Sequence, residues 1–133
     1  MAFTNPTLLA QLVQEIVDRV MAGRDAEDCF VEQKSEFTPN HARTARQIAG
    51  MANAAGGQNC LLIVGLEKKG QIVEPNESSS DISTWWDQVK SYFEVRHWPV
   101  FRDQFLPVRL PNGESQKIYV AEFVTDQKGR QAN

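Results

Sequence analysis

Residues 39–66 constrain the fold most narrowly. They run from Pro39 through RTARQIAGMANAAGG into the apolar run CLLIVGL. Ala42, Ala45, Ile48, Ala49 and Ala52 recur at helical spacing, and such small side chains let a helix approach a sheet closely. Arg43, Arg46, Gln47 and Gly50 fall on the opposite side of that helix. Gly56-Gly57 stops it. Residues 60–66 follow as an unbroken apolar stretch of strand length, which predicts a central strand covered on both faces. A helix that stops on glycines and feeds directly into a buried strand needs a sheet to lie on, so the chain must hold both kinds of structure.

The flanking segments extend this unit. Asn5-Pro6 opens a first helix, with Asn as cap and Pro at the first helical position. Its stripe is Leu8, Leu9, Leu12, Val13, Ile16, Val17, Val20 and Met21, with Gly23 as a stop. The polar face of this helix carries both signs of charge, which favours core packing over a membrane surface. Residues 24–28 form a charged connector. Residues 29–34 alternate, with Phe30, Glu32 and Lys34 on one face and Cys29, Val31 and Gln33 on the other. Thr38-Pro39 repeats the cap-and-Pro signal for the second helix. Residues 68–70 make a turn and 71–73 a short returning strand. Asp81 or Ser83 caps a third helix carrying Ile82, Trp85, Trp86, Val89 and Phe93. Strands at 105–110 and 117–124 join around Pro111-Asn112-Gly113, a strong hairpin signal. The tail from 126 has no apolar pattern and is expected to fray. The predicted fold class is α+β: a mixed, mostly antiparallel sheet of about five strands with three helices packed on it.

At 133 residues the chain makes one domain. Its formal charge of −3 supplies no global positive field, so any polyanion must meet a local patch and bind in a salt-dependent way. Cys29 and Cys60 are two distant cysteines, which makes no disulfide framework. Together with His41 and His97 they lack zinc-ligand spacing. There is no apolar stretch of transmembrane length, and Gln14, Glu15 and Asp18 interrupt any signal-peptide core. The expected location is cytoplasmic, with no membrane partner. Gly56-Gly57 is no phosphate-binding loop, because it follows a helix and precedes a strand; no ATP site is visible. No Ser-His-Asp elbow is visible either.

The order Glu27, Glu32-Gln33-Lys34, then Met51-Ala52-Asn53-Ala54-Ala55-Gly56-Gly57, then Leu61-Leu62-Ile63-Val64-Gly65 and a charged turn closing at Gly70-Gln71-Ile72-Val73 resembles the Schlafen AlbA-like domain. The resemblance covers about residues 24–126 and rests on order and spacing together. The helix at 1–23 precedes it and the tail at 127–133 follows. Relatives often continue past the last hairpin, so the expectation includes an N-terminal module with further C-terminal domains. The family includes bacterial proteins described as DNA-binding regulators and the vertebrate Schlafens, so the resemblance implies contact with nucleic acid, DNA or RNA. In nucleolytic Schlafens two glutamates at this spacing and a later acid form a metal-dependent RNA-cleaving site. The matching positions are Glu27 and Glu32, with Glu67 as the third acid. The chain departs from the pattern twice: Glu67 stands alone before two lysines where Asp-Asp is common, and Gln33 replaces an aromatic or apolar residue.

That chemistry is coherent. Close carboxylates repel, and Mg²⁺ or Mn²⁺ relieves the repulsion. Such a metal, on Glu27, Glu32 and Glu67, would activate water while Lys34 holds a phosphate oxygen. The competing reading makes Glu32 and Lys34 a solvated strand pair and Glu27 a connector charge. Lys34, Arg43, Arg46, Lys68 and Lys69 form a candidate phosphate-facing patch, against the commoner fate of Arg43 and Arg46 as a solvated helix face. Asn53 either bonds substrate or satisfies backbone near the helix end. Trp85 and Trp86 are adjacent on a helix, so core packing is favoured over a stacking platform for single strands. Trp98, beside Pro99, covers a sheet edge in this reading. Three functions remain open: a nucleic-acid-binding domain, a metal-dependent endoribonuclease, and an interaction or homo-oligomerisation module without chemistry.

Overall fold

A computed structural model of the chain describes residues 3–27, 30–93 and 99–124. Among these, the order is α1 (Pro6–Met21), β1 (Val31–Lys34), α2 (His41–Ala54), β2 (Cys60–Val64), α3 (Ser79–Lys90), β3 (Val100–Arg109) and β4 (Ser115–Val124). One sheet runs β1-β2-β4-β3, with β1 parallel to β2 and the other pairings antiparallel. The α+β class and three helices match the expectation, but the sheet has four strands rather than about five. The segment Gln71-Ile72-Val73, expected as a strand, gives only an isolated bridge from Ile72 to Leu66. Gly65 and Gly70, which both precede it and both have positive φ, turn the chain so that pairing stops at this bridge.

α1 begins where the sequence predicts. The Asn5 side chain accepts from the N–H groups of Thr7 and Leu8, and Pro6 takes the first helical position. Leu9, Val13, Ile16, Val17 and Val20 are buried, each worth about 1.5–3 kcal/mol. Leu8 and Leu12, assigned to the same stripe, are 56% and 38% exposed. A stripe of eight residues is wider than the face one helix lays on a sheet, and these two fall on its flank.

The two later helices start elsewhere than expected. α2 is capped by Asn40, whose side chain accepts from the Arg43 N–H at 3.1 Å. Thr38 is used differently: its hydroxyl accepts from the Asn40 N–H, and its carbonyl accepts from Trp85 Nε1 at 2.8 Å. The buried face of α2 is Thr44, Ala45, Ile48 and Met51, while Ala42, Ala49 and Ala52 are only half-buried. α3 is capped by Ser78, and Asp81 sits at the third helical position in a reciprocal capping box rather than at the cap.

The central strands explain the layering. β2 is buried throughout, and β4 is buried from Ile118 onward. Alternate residues feed two cores. Leu62, Val64, Tyr119, Ala121 and Phe123 meet α2 and α3 on one face. Leu61, Ile63, Ile118 and Val120 meet α1 on the other. Both Trp85 and Trp86 belong to the first core, so neither is a free stacking platform. Glu122 is buried on β4 and accepts from the Thr4 N–H, the Thr4 hydroxyl and Asn59 Nδ2.

The hairpin is longer than expected, pairing Val100 with Val124 through to Arg109 with Ser115. Its first half, Phe101-Arg102-Asp103-Gln104, lies on an edge strand and lacks an apolar alternation, so no sequence signal announces it. Gly113 turns it with φ +88°. Among the described residues no helix is long and apolar enough to cross a membrane. The expectations for Cys29, His97, Trp98 and the tail from 126 lie outside the described residues.

Candidate functional site

β1 and β2 run parallel with α2 connecting them, so the C-terminal ends of both strands open on the same side. Open sheets place ligands at such ends. Here a cleft of about 590 Å³ lies between the end of β1, the first turns of α2 and the turn after β2. Glu32 and Lys34 line it from β1, Arg43 and Gln47 from α2, and Glu67, Lys68 and Lys69 from the turn.

The backbone holds these pieces in register. The Lys34 carbonyl accepts from the N–H groups of Gly65 at 2.8 Å and Leu66 at 3.3 Å, which ties the end of β1 to the exit of β2. Gly65 has φ +106°, and a Cβ there would stand 2.9 Å from the Val73 carbonyl, so both conformation and space require glycine. Beyond it, the Glu67 N–H donates to Gln71 O and the Gly70 N–H to Glu67 O, making a tight turn with the two lysines at its tip.

Glu27 closes the outer edge of β1. Its Oε2 accepts the backbone N–H of Gln33 at 2.9 Å, and its Oε1 accepts from Lys68 Nζ at 2.9 Å. An edge strand with an unmet N–H is a liability, and this carboxylate covers one. Glu27 and Glu32 are also hydrogen-bonded to each other through their carboxyl groups. Lys34 Nζ stands 3.8 Å from Glu32 Oε2 on the same face of β1.

The charges divide the roles of the two acids. Burial raises Glu32 above the ordinary carboxylate range, and the charge of Glu27 adds to the shift. Burial also works against ionised Glu27, but hydrogen bonds from Lys68, the Gln33 N–H and Glu32 outweigh it and hold Glu27 below that range. Glu27 is therefore the ionised partner and Glu32 the one that keeps a proton longer. Lys34 is pushed down, mainly by burial and also by Arg43 and Lys68, against the pull of Glu32 and Glu27. Lys68 is raised by its hydrogen bond to Glu27.

The structure thus brings together most of the sequence candidates. Glu32, Lys34, Arg43, Glu67, Lys68 and Lys69 share the cleft, and Glu27 adjoins it through Lys68. Arg46 and Asn53 are exposed and do not line it. Asn53 lies ten residues beyond Arg43, about 15 Å along the helix axis. The expected three-carboxylate set does not assemble: among the described residues no group of three His, Cys, Asp or Glu side chains is placed to hold a metal ion. Each oxygen of Glu27 already has a partner, and Mg²⁺ or Mn²⁺ bound there would compete with the Lys68 ammonium for the same carboxylate.

Gln33 and Gln47 are among the lining residues that sequence reasoning did not single out as site candidates. Gln47 is one turn beyond Arg43 on the same side of α2, and that i, i+4 spacing was the available signal. Gln33 is buried on β1, where an apolar residue would be the usual occupant. The chain matches no protein-family model, and a search of curated proteins finds no match either.

Proposed function

We propose that this chain is a nucleic-acid-binding domain of the Schlafen AlbA-like type and that the cleft at the ends of β1 and β2 takes the phosphate backbone. One observation carries the reading: Lys34, Arg43, Lys68 and Lys69, drawn from three separate segments, converge on one concavity beside the N-terminal end of α2. Cations and helix N-termini are the groups that phosphates need, and they hold a backbone without reading its sequence. Four cations face three carboxylates on the lining, Glu32, Glu36 and Glu67, so the attraction is local and modest.

The metal-dependent nuclease reading has the hydrogen-bonded Glu27–Glu32 pair in its favour and lacks the third carboxylate beside it.

Fluorescence anisotropy with labelled oligonucleotides over a series of salt concentrations tests the proposal. Binding should weaken linearly in log–log form, with a slope corresponding to about two to four neutralised phosphates. Affinity that is absent at low salt, or independent of salt, would sink the reading.

A further inference from the structure

The two edges of the sheet are finished differently. At β1 the Glu27 carboxylate accepts the outward N–H of Gln33. The other edge is β3, bonded on one side only, to β4. Near its C-terminal end the Gln14 carboxamide does what a neighbouring strand would do. Its Nε2 donates to the Arg109 carbonyl at 3.0 Å, and its Oε1 accepts from the Arg109 N–H at 2.9 Å. Arg109 therefore points its backbone groups outward. The β3–β4 register runs one to one without a bulge, so the odd-numbered residues before it do the same. Pro107 has no N–H to offer. Asp103 and Phe105 do, and among the described residues nothing bonds their outward N–H and C=O groups.

Native sheets blunt such an edge with charge, bulges or cover. Here the charges are turned away: Arg102 donates to the Thr4 carbonyl, and Asp103 accepts from the Tyr119 hydroxyl. Phe105 stays on the edge, 38% exposed.

The open stretch is its own complement. In an antiparallel pair of β3 strands with the twofold axis at Gln104, each Asp103 lies opposite the second copy's Phe105, so both open positions exchange N–H···O bonds. The two Phe105 rings become diagonal neighbours within reach of each other. Moving the axis to Asp103 sets two carboxylates face to face, and moving it to Phe105 puts Asp103 opposite Pro107, which cannot donate. α1 runs alongside, from Thr4 at Arg102 to Gln14 at Arg109, and its exposed residues on this side, Thr7, Ala10 and Gln11, carry no charge. A strip about 24 Å long, one strand and one helix deep, buries on the order of 1,000 Å² over both copies, the lower limit for a specific interface.

We propose that this chain forms a weak twofold dimer through the 103–107 edge of β3, joining the two sheets into one. A phosphate cleft then lies at each outer edge of the joined sheet, and the dimer stands or falls independently of what the clefts bind.

Analytical ultracentrifugation of the full chain between about 10 μM and about 1 mM tests this, with melting temperatures to confirm that each variant is folded. The weight-average mass should rise from that of one chain toward that of two. Gln104→Glu and Gln104→Lys each set like charges face to face at the axis. Each should weaken association at least about tenfold, and an equal mixture of the two should recover it. Gln88→Glu, the same change on the exposed side of α3, should leave association unaltered. A dimer that persists in both Gln104 variants, or that their mixture fails to recover, overturns the proposal. A monomer at every concentration also overturns it, and leaves the edge to an extended segment of a different protein.

Discussion

Two rows of residues cross the sheet from one edge to the other and reach polar regions built on opposite terms. Asp103, Ala121, Leu62 and Glu32 are register partners across β3, β4, β2 and β1, and so are Phe105, Tyr119, Val64 and Lys34. At the β3 end, the Tyr119 hydroxyl accepts from Trp86 Nε1 at 2.7 Å and donates to Asp103. Burial first, and then Asp103, raise the Tyr119 phenol far above its ordinary range, so it stays a neutral donor. Every member of that chain has its partner, and aromatic rings close around it. At the β1 end, two carboxyl groups share a hydrogen bond, a lysine is pushed down by burial, and two carboxamides have orphan atoms. The same sheet can satisfy its polar groups fully, and at one edge it does not. That contrast supports the proposal that the molecule meets its ligand at the β1 edge.

The comparison breaks first if the β3-side chain is less important than its geometry implies. Trp86→Ala should destabilise the fold by about 3–5 kcal/mol, measured by urea unfolding, since it empties the centre of the α2/α3 core. A loss within about 0.5 kcal/mol, the size of a surface change, would mean that this core is not what holds the sheet. Tyr119→Phe keeps the ring and removes only the hydroxyl. It strands a buried indole N–H, and about 1–3 kcal/mol should be lost. An unchanged midpoint would show that the chain from Trp86 to Asp103 contributes no net stability.

The pH dependence sharpens the other end. Glu32 is held above its ordinary 4.5, so the folded chain binds that proton more tightly than the unfolded chain. Its stabilising contribution is complete below 4.5 and is lost as pH rises through the folded value. Glu27 is held below 4.5, and its contribution is present above 4.5 and lost as pH falls through its folded value. Glu32→Gln removes the first dependence. Relative to the parent it should gain stability between about pH 4 and pH 8. A stability difference that stays flat across that range would contradict the proton-keeping role of Glu32.

Much of this fold is legible in the chain. Asn5-Pro6 fixes the start of α1, the run at 60–66 gives the central strand, and Asn112-Gly113 gives the hairpin turn, because each is a local signal with a single physical solution. The misplaced caps have a common cause. Thr38 and Asp81 are both good cap residues, and each was taken by a neighbouring contact: Thr38 by the Trp85 indole, Asp81 by the capping box of Ser78. Such contacts depend on tertiary placement or on one more residue of helix. The cleft is legible in part. The alternation of Glu32 and Lys34 places them side by side, and the turn after β2 brings Lys68 and Lys69 near. What sequence cannot give is which acids meet. Glu67 has the right residue type and order, but the turn from 67 to 70 does not add it to the Glu27–Glu32 pair in a metal-holding group. Arg43 and Arg46 likewise look equivalent along the helix, and only packing separates them.

That separation gives the most direct test of the central claim, that the β1-edge cleft is the binding site. The measurement is the salt dependence of oligonucleotide affinity for Arg43→Ala and Arg46→Ala side by side, two equal charge changes at exposed positions of one helix. The account predicts that Arg43→Ala weakens binding about tenfold and reduces the salt slope by about one, with Arg46→Ala within about twofold of the parent. Equal losses from both variants, or a larger loss from Arg46→Ala, would place the contact outside the cleft and contradict the account.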